Sequence, residues 1–428
     1  MPYELVQQPQ KVTIFLLLRI GIILSCMVQS LVLPKIEGQA LLGKHKWLGG
    51  ALTKDNIFFA SPSHANYVLR VDPKANNVSL VGTSYEGKYK WLRAVYNEAT
   101  DSVWSIPCFK DSPLRINVQN GNTKVISSYK KLESSYQNSW QWHGGAIGDD
   151  GKIYAPPANA RGVLCIDPAT STVEELPIFN ASNAGQKNQF YGAIAALDRR
   201  TIWGVPFASE SILKIQCSSA SFLPKCTTLQ IPSDGTRNFL GYEHNWHGGL
   251  VCHRTGAVFC FPANADTVLR IGTNDEISLL KVPGPRGRYQ WAGGVQCPAS
   301  GIIYGVPSDA IDVLKINPFN LSVSRFGALF SSSDSRDKKR PRKNLFQNAV
   351  TGPDGNFYCI PCDADFILRI NPKFDTTEQL LQGLLPPGKD KWQGGFFYNS
   401  ILWAIPESAD ALLRYDISSN NLRYLGLS

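Results

Sequence analysis

The chain has 428 residues, of which 43% are hydrophobic, 11% aromatic and only 18% charged, against about 25% charged in typical soluble proteins. With 36 Gly, 27 Pro and 2 Met it is rich in turns and suited to strands, which excludes disordered, coiled-coil and all-helical folds. Lys and Arg (43) outnumber Asp and Glu (34), a formal net charge of +9 that raises the question of an anionic partner.

The first element is the apolar stretch 12–34, interrupted by Arg19. Two readings stand. In a signal peptide, Lys11 and Arg19 form the positive flank, Ile20 to Val28 the apolar region, and Val28-x-Ser30 the small-residue cleavage site. In an uncleaved membrane anchor, about 20 apolar residues span the bilayer while Arg19 snorkels to the interface. Either way residues 1–35 form a leader and 36–428 are expected on the extracytoplasmic side of the secretory pathway, secreted or anchored.

A Trp-x-Gly-Gly element then recurs at Trp47, Trp142, Trp246, Trp291 and Trp392, with degenerate copies at Trp91, Phe190 and Phe346. Each of the eight copies is followed 14–16 residues later by a proline: Pro62, Pro107, Pro157, Pro206, Pro262, Pro307, Pro361 and Pro406. The seventh residue after the proline is always leucine. The eighth is basic in seven copies, Cys165 being the exception. Self-similarity at a period of 45–56 residues is the mark of a repeat architecture.

Each repeat predicts four short strands. Trp-x-Gly-Gly opens the first; a glycine turn such as Asp149–Lys152 leads to the second, which the proline ends where its missing N–H costs least. The third carries the leucine and basic residue in period-2 alternation, and an Asp-Pro or Asn-Pro turn often precedes the fourth. Four strands per repeat predict an all-β fold, a single β-propeller of eight blades, with seven as the alternative should a degenerate unit merge with its neighbour. Residues 36–42 are spare and serve as a linker or as an extra strand closing the ring.

Ten cysteines fit an exported chain. Cys217 and Cys226 bracket a hairpin, where a disulfide is expected. Cys359-x-x-Cys362 is better explained by buried strand cysteines than by a redox or metal site. Asn77, Asn180 and Asn320 open glycosylation sequons between strand-like runs. The segment 334–343 carries six Lys and Arg against two Asp, so much of the excess charge is one solvated loop rather than a basic face. Nucleic acid is therefore not an expected partner.

The repeat resembles the broad superfamily of kelch-, NHL- and streptogramin-lyase-like propellers, in which a G-x-IY-x-P strand and a VLRIDP strand recur in each blade. The resemblance implies architecture, not activity. The G-H and W-D dipeptides of WD repeats, the paired-glycine signature of kelch proteins and the tryptophan-docking sequence of eight-bladed quinoprotein dehydrogenases are absent, and no catalytic residue carries over.

Two features bear on chemistry. His143 and His247 occupy the same slot directly after Trp and are candidate metal ligands, although no carboxylate shares that slot. Four residues after the prolines lie Asp111, Glu210, Asp266, Asp365 and Asp410, candidate acids of a ligand-binding face. Their plainer explanation is that each caps its turn or pairs with the basic residue four further on. No catalytic motif and no cofactor is expected. The sequence thus favours an exported, non-catalytic binding module for a protein, glycan or small molecule, the alternative being a propeller enzyme, a metal-assisted lactonase- or lyase-like hydrolase, with its site at the channel mouth.

Overall fold

In the computed structural model, residues 34–127, 129–130, 139–180, 187–219, 222–232, 244–285, 287–329 and 343–428 are described. Residues 1–33, which hold most of the apolar stretch 12–34, and most of the basic segment 334–343 lie outside them. The described residues form an all-β ring of eight antiparallel blades, each containing four strands in sequence order. The innermost strands are Trp47–Leu52, Trp91–Asn97, Ala146–Ile147, Phe190–Ala195, Trp246–Val251, Trp291–Gln296, Phe346–Thr351 and Trp392–Tyr398, in blades 1 to 8. Each packs against the innermost strands of its neighbours, and blade 8 meets blade 1.

The recurring aromatic and the proline are partners. In seven blades the Trp or Phe that opens the first strand lies opposite the proline that ends the second, and in blade 3 Trp142 and Pro157 meet as an isolated bridge beyond the strand ends. In seven blades the register then slips by one residue. The extra residue is a β-bulge, whose left-handed position suits glycine. The first glycine of the motif supplies it in five of these blades, from Gly248 at φ 71° to Gly192 at φ 106°, and Gly144 of blade 3 is likewise left-handed at φ 80°. The second glycine faces the next strand. A Cβ at Gly50 would come within 2.3 Å of the Phe59 carbonyl oxygen.

The six Trp rings of the motif are buried, and each Nε1–H donates to a carbonyl at the start of its own third strand: Tyr67, Ser112, Gly162, Thr267, Asp312 and Ala411, at 2.7–3.0 Å. The indole therefore fills the inter-blade wedge and ties the first strand to the third. The invariant leucines are fully buried. Eight apolar clusters hold most of the core, one between each adjacent pair of blades.

The contacts of the third-strand basic residues run to neighbouring strands and turns. Arg115, Lys214 and Arg414 lie over the indoles of Trp104, Trp203 and Trp403 in the adjacent second strand. Lys214 and Lys315 reach Asp275 and Asp375 in the next blade, and Arg369 reaches Glu378 in its own fourth strand.

Blade 8 is built from the C-terminal repeat alone, but Ile36–Glu37 adds a fifth, parallel strand to its outer edge at Asn421–Leu425. Gln39 and Leu427 exchange two backbone hydrogen bonds, and Arg423 pairs with Glu37. The spare residues thus close the ring as an extra strand. Similar parallel additions, Tyr129–Lys130 and Ile178–Phe179, extend blades 3 and 4.

The expected disulfide is absent. Cys217 and Cys226 are both buried free thiols; the register sets Cys226 opposite Ile215, so the two cysteines are diagonal rather than facing. Burial pushes both thiols up to about 12. Of the sequons, Asn180 and Asn320 are exposed beyond strand ends, whereas Asn77 is the half-buried first residue of Asn77–Val81.

Candidate functional site

Three positions of the repeat converge on one end of the axial channel. The first is the residue two before the motif aromatic: His45, Tyr89, Trp140, Asn188, His244, Tyr289, Asn344 and Asp390. Seven of these eight adopt a left-handed backbone, with φ from 46° to 81°, a conformation most residues avoid. In each blade its carbonyl accepts the N–H of the second residue after the proline, for example His64 N–H to His45 at 3.0 Å and Ser408 N–H to Asp390 at 2.8 Å. The second position is that pair of residues after the proline. The third is the residue following the aromatic.

These positions are filled asymmetrically. On blades 1 to 6 they hold rings in an unbroken chain of contacts: His45, His64, Tyr89, Trp140, His143, Tyr191, Phe207, His244 and Tyr289. His143, Tyr191, Phe207 and His244 are stacked face to face at centroid separations of 3.8–4.1 Å, spacings at which each neighbour buries the other's face. Of these four, His143 and Tyr191 line the axial channel, whereas Phe207 is buried. On blades 6 to 8 the same positions hold Asp309, Asn344, Gln347, Cys362, Asp363, Asp390, Gln393 and Glu407. Burial raises the carboxyls of Asp309 and Asp363, and lifts Glu407 to about 7.

Below the mouth lies a cavity of about 280 Å³ on the axis, lined by Arg93, His143, Tyr191, His247, Gln347, Asn348 and the motif glycines. Glycine suits these positions through its backbone rather than through lack of space: Gly248 sits at φ 71°, whereas a Cβ there would make only an ordinary contact, 3.4 Å from the Gly293 Cα. Blade 2 departs from this. Its bulge residue is Arg93, held at φ 65° in the glycine slot, so a guanidinium projects where the other blades have nothing or, in blade 7, Asn348. Among the described residues Arg93 makes no ion pair, and burial lowers its affinity for a proton despite the distant pull of Glu407.

His143 and His247 are brought together, with ring centroids 6.2 Å apart. Burial drives both toward the neutral form, His247 to about 4 and His143 well below its ordinary value, and the nearby Arg93 charge adds to the effect. Among the described residues no carboxylate or thiol joins them in a set of three within ligand distance. Their surroundings are rings: His143 sits between Trp140 and Tyr191.

The five loop acids have different surroundings. Asp111 accepts from Gln141 Nε2 in the next blade at 2.9 Å, Asp266 pairs with Lys281, and Asp365 and Asp410 lie near the buried Lys391 and Lys46, while Glu210 is exposed on the rim. Among the described residues no three of them come within metal-ligand distance of one another. The acids of the mouth, Asp309, Asp363, Asp390 and Glu407, come from other positions of the repeat. Aligning the residue two before each motif aromatic exposes the half-aromatic, half-polar pattern in the sequence itself.

Several buried polar atoms at the mouth lack partners: Ser63 Oγ, His64 Nε2, His143 Nδ1, Gln393 Oε1 and Glu407 Oε2. Such atoms are costly unless water or a ligand satisfies them, and their clustering marks this end of the channel as the candidate site.

Neither protein-family models nor curated proteins give a match to the sequence. Among solved structures the chain is similar to a streptogramin B lyase, with a TM-score of 0.52 and 13% identity over 76% of this chain and 94% of that one. It is likewise similar to a catalytically inactive virginiamycin B lyase from Staphylococcus aureus with quinupristin, with a TM-score of 0.52 and 14% identity over 89% and 98% of the two chains. At such identities the likeness is one of fold, and it agrees with the architectural resemblance of the repeat.

Proposed function

We propose that the channel mouth binds a small organic anion, its charged group held by Arg93 and its body set against the ring edges of blades 3 to 5. One observation carries this reading: Arg93 takes a backbone conformation that glycine holds in six other blades and puts an unpaired cation in the axial cavity. A guanidinium offers paired N–H donors matched to a carboxylate or phosphate. Ring edges carry partial positive charge and add to the attraction for an anion. The experiment is a thermal-shift screen of carboxylates, phosphates and sulfates of increasing ring content, followed by calorimetry on the best; failure of every anion to shift the melting temperature would refute it.

The second reading is an enzyme. It draws on the unpartnered His64, His143 and Glu407 atoms, reactive groups that a passive rim does not require, and on fold neighbours that are lyases. Turnover of a ring-containing ester or lactone, abolished in His143→Gln, would favour it over the binding module.

Export of the propeller, secreted or anchored through residues 12–34, belongs to the same proposal. It is supported by that apolar stretch and by the exposed sequons at Asn180 and Asn320. Sequencing the mature N-terminus from a eukaryotic host and mapping glycopeptides tests it; an intact N-terminus in a cytosolic fraction without glycans would reject it.

A further inference from the structure

We infer that His45, Asp390 and Glu407 form a binding site for one divalent transition-metal ion, with zinc the best match. This goes beyond the anion site on Arg93 and does not rest on it. The three residues come from blades 1 and 8 and meet only where the two ends of the chain close the ring. One ligand atom from each lies within 4.8 Å of the other two. Around a zinc ion with bonds of about 2.0–2.2 Å, ligand atoms stand roughly 3.3–3.5 Å apart, so small side-chain rotations bring the set together.

Glu407 supplies the second, independent observation. Its side chain is only 6% exposed. Oε1 lies 2.7 Å from His45 Nδ1, while Oε2 is buried with no partner at all. A buried carboxylate with an empty lone pair is unfavourable, and a cation shared with His45 and Asp390 fills it. When the ion binds, the proton shared by His45 and Glu407 leaves.

Asp390 is oriented from two sides. Its N–H donates to Asp363 Oδ1 at 2.7 Å and its Oδ1 accepts from Asn344 Nδ2 at 2.9 Å, the kind of outer contacts that orient metal ligands. The donor set decides the ion. One imidazole and two carboxylates suit a borderline ion such as zinc, whereas calcium calls for six to eight oxygens. Cys362, whose Sγ is 3.8 Å from Asp390 Oδ1, adds a soft donor beside the set.

The full chain, stripped with chelator and dialysed, is titrated with Zn²⁺ by calorimetry alongside Glu407→Gln and Asp390→Asn. Both substitutions keep side-chain size, and Asn accepts the left-handed backbone that Asp390 requires (φ 50°). The expected result is one equivalent of zinc for the parent and at least about a 100-fold loss of affinity in each variant, above the 10–100-fold typical of outer contacts, with His247→Gln unchanged and all circular dichroism spectra alike. Failure of the folded parent to bind a stoichiometric equivalent, or zinc binding that survives both substitutions, overturns the inference.

Discussion

The side chain of Arg93 lies across Gly49: a Cβ placed on Gly49 would stand 2.9 Å from Arg93 Cδ and 3.3 Å from its Cα. The glycine of blade 1 thus gives the guanidinium of blade 2 its passage into the channel. Two neighbouring bulges, one with a side chain and one without, make the eightfold ring locally asymmetric.

Gly49→Ala is expected to disturb both fold and site. Gly49 sits at φ 93°, where alanine is strained, and the new methyl displaces Arg93. Denaturant unfolding should show a loss of about 1–2 kcal/mol, with weaker anion binding. An Ala variant as stable as the parent would mean that the bulge does not need its glycine.

Replacing Trp392 by Phe removes the Nε1–H that donates to the Ala411 carbonyl at 2.9 Å and leaves that acceptor unpaired in the core. The expected cost is about 1–3 kcal/mol. Phe190 and Phe346 already occupy this position in blades 4 and 7, so the ring should still close. Loss of folding would show that the indole is needed for closure rather than for stability.

Acid should destabilise the propeller. Burial holds His64 and His247 down to about 4, and His143 further. A histidine with a lowered native pKa binds fewer protons folded than unfolded, so stability falls as pH drops from about 6.5 toward 4. Glu407, raised to about 7 by burial, acts in the opposite sense, losing stability as pH rises from about 4.5 to 7. Three groups against one give a net loss in acid. Melting temperature measured from pH 7 to pH 4 should decline, and Glu407→Gln should make the decline steeper; a flat or rising profile would contradict this.

Removing residues 1–40 takes away the strand Ile36–Glu37 and the Gln39–Leu427 pairing. The outer edge of blade 8 is then open, and an uncovered edge strand recruits other chains. A lower melting temperature and self-association in light scattering are expected. Arg423→Ala alone should do little, because its partner Glu37 is an exposed carboxylate whose ion pair is worth at most about 1 kcal/mol.

The repeat made the ring legible. The aromatic, proline and leucine recur because each does one thing: Trp or Phe fills the wedge, proline follows the second strand, and leucine packs the seam. The mouth was harder to read because its residues are the ones the repeat leaves free to vary. His45, Tyr89 and Asp390 share a position but no chemistry, so they register only when the repeats are aligned on the residue two before the motif aromatic. The histidines His143 and His247 do converge, but among aromatic rings. The loop acids share a position in the repeat but not a partner: Asp111 meets Gln141 of the next blade, Asp266 pairs with Lys281 of its own, and Glu210 is exposed. The pairing of His45 with Glu407, 362 residues away, depends on the ring closing and leaves no local trace.

The measurement that bears most directly on the mouth as an anion site is calorimetric titration of the best anion from the screen into the parent and into Arg93→Gly. Glycine at φ 65° is unstrained, so the variant should be more stable by about 1 kcal/mol, while loss of the charged hydrogen bonds weakens binding by roughly 10- to 100-fold. A variant that gains stability and loses the ligand is the result predicted. Unchanged affinity in Arg93→Gly would contradict the account.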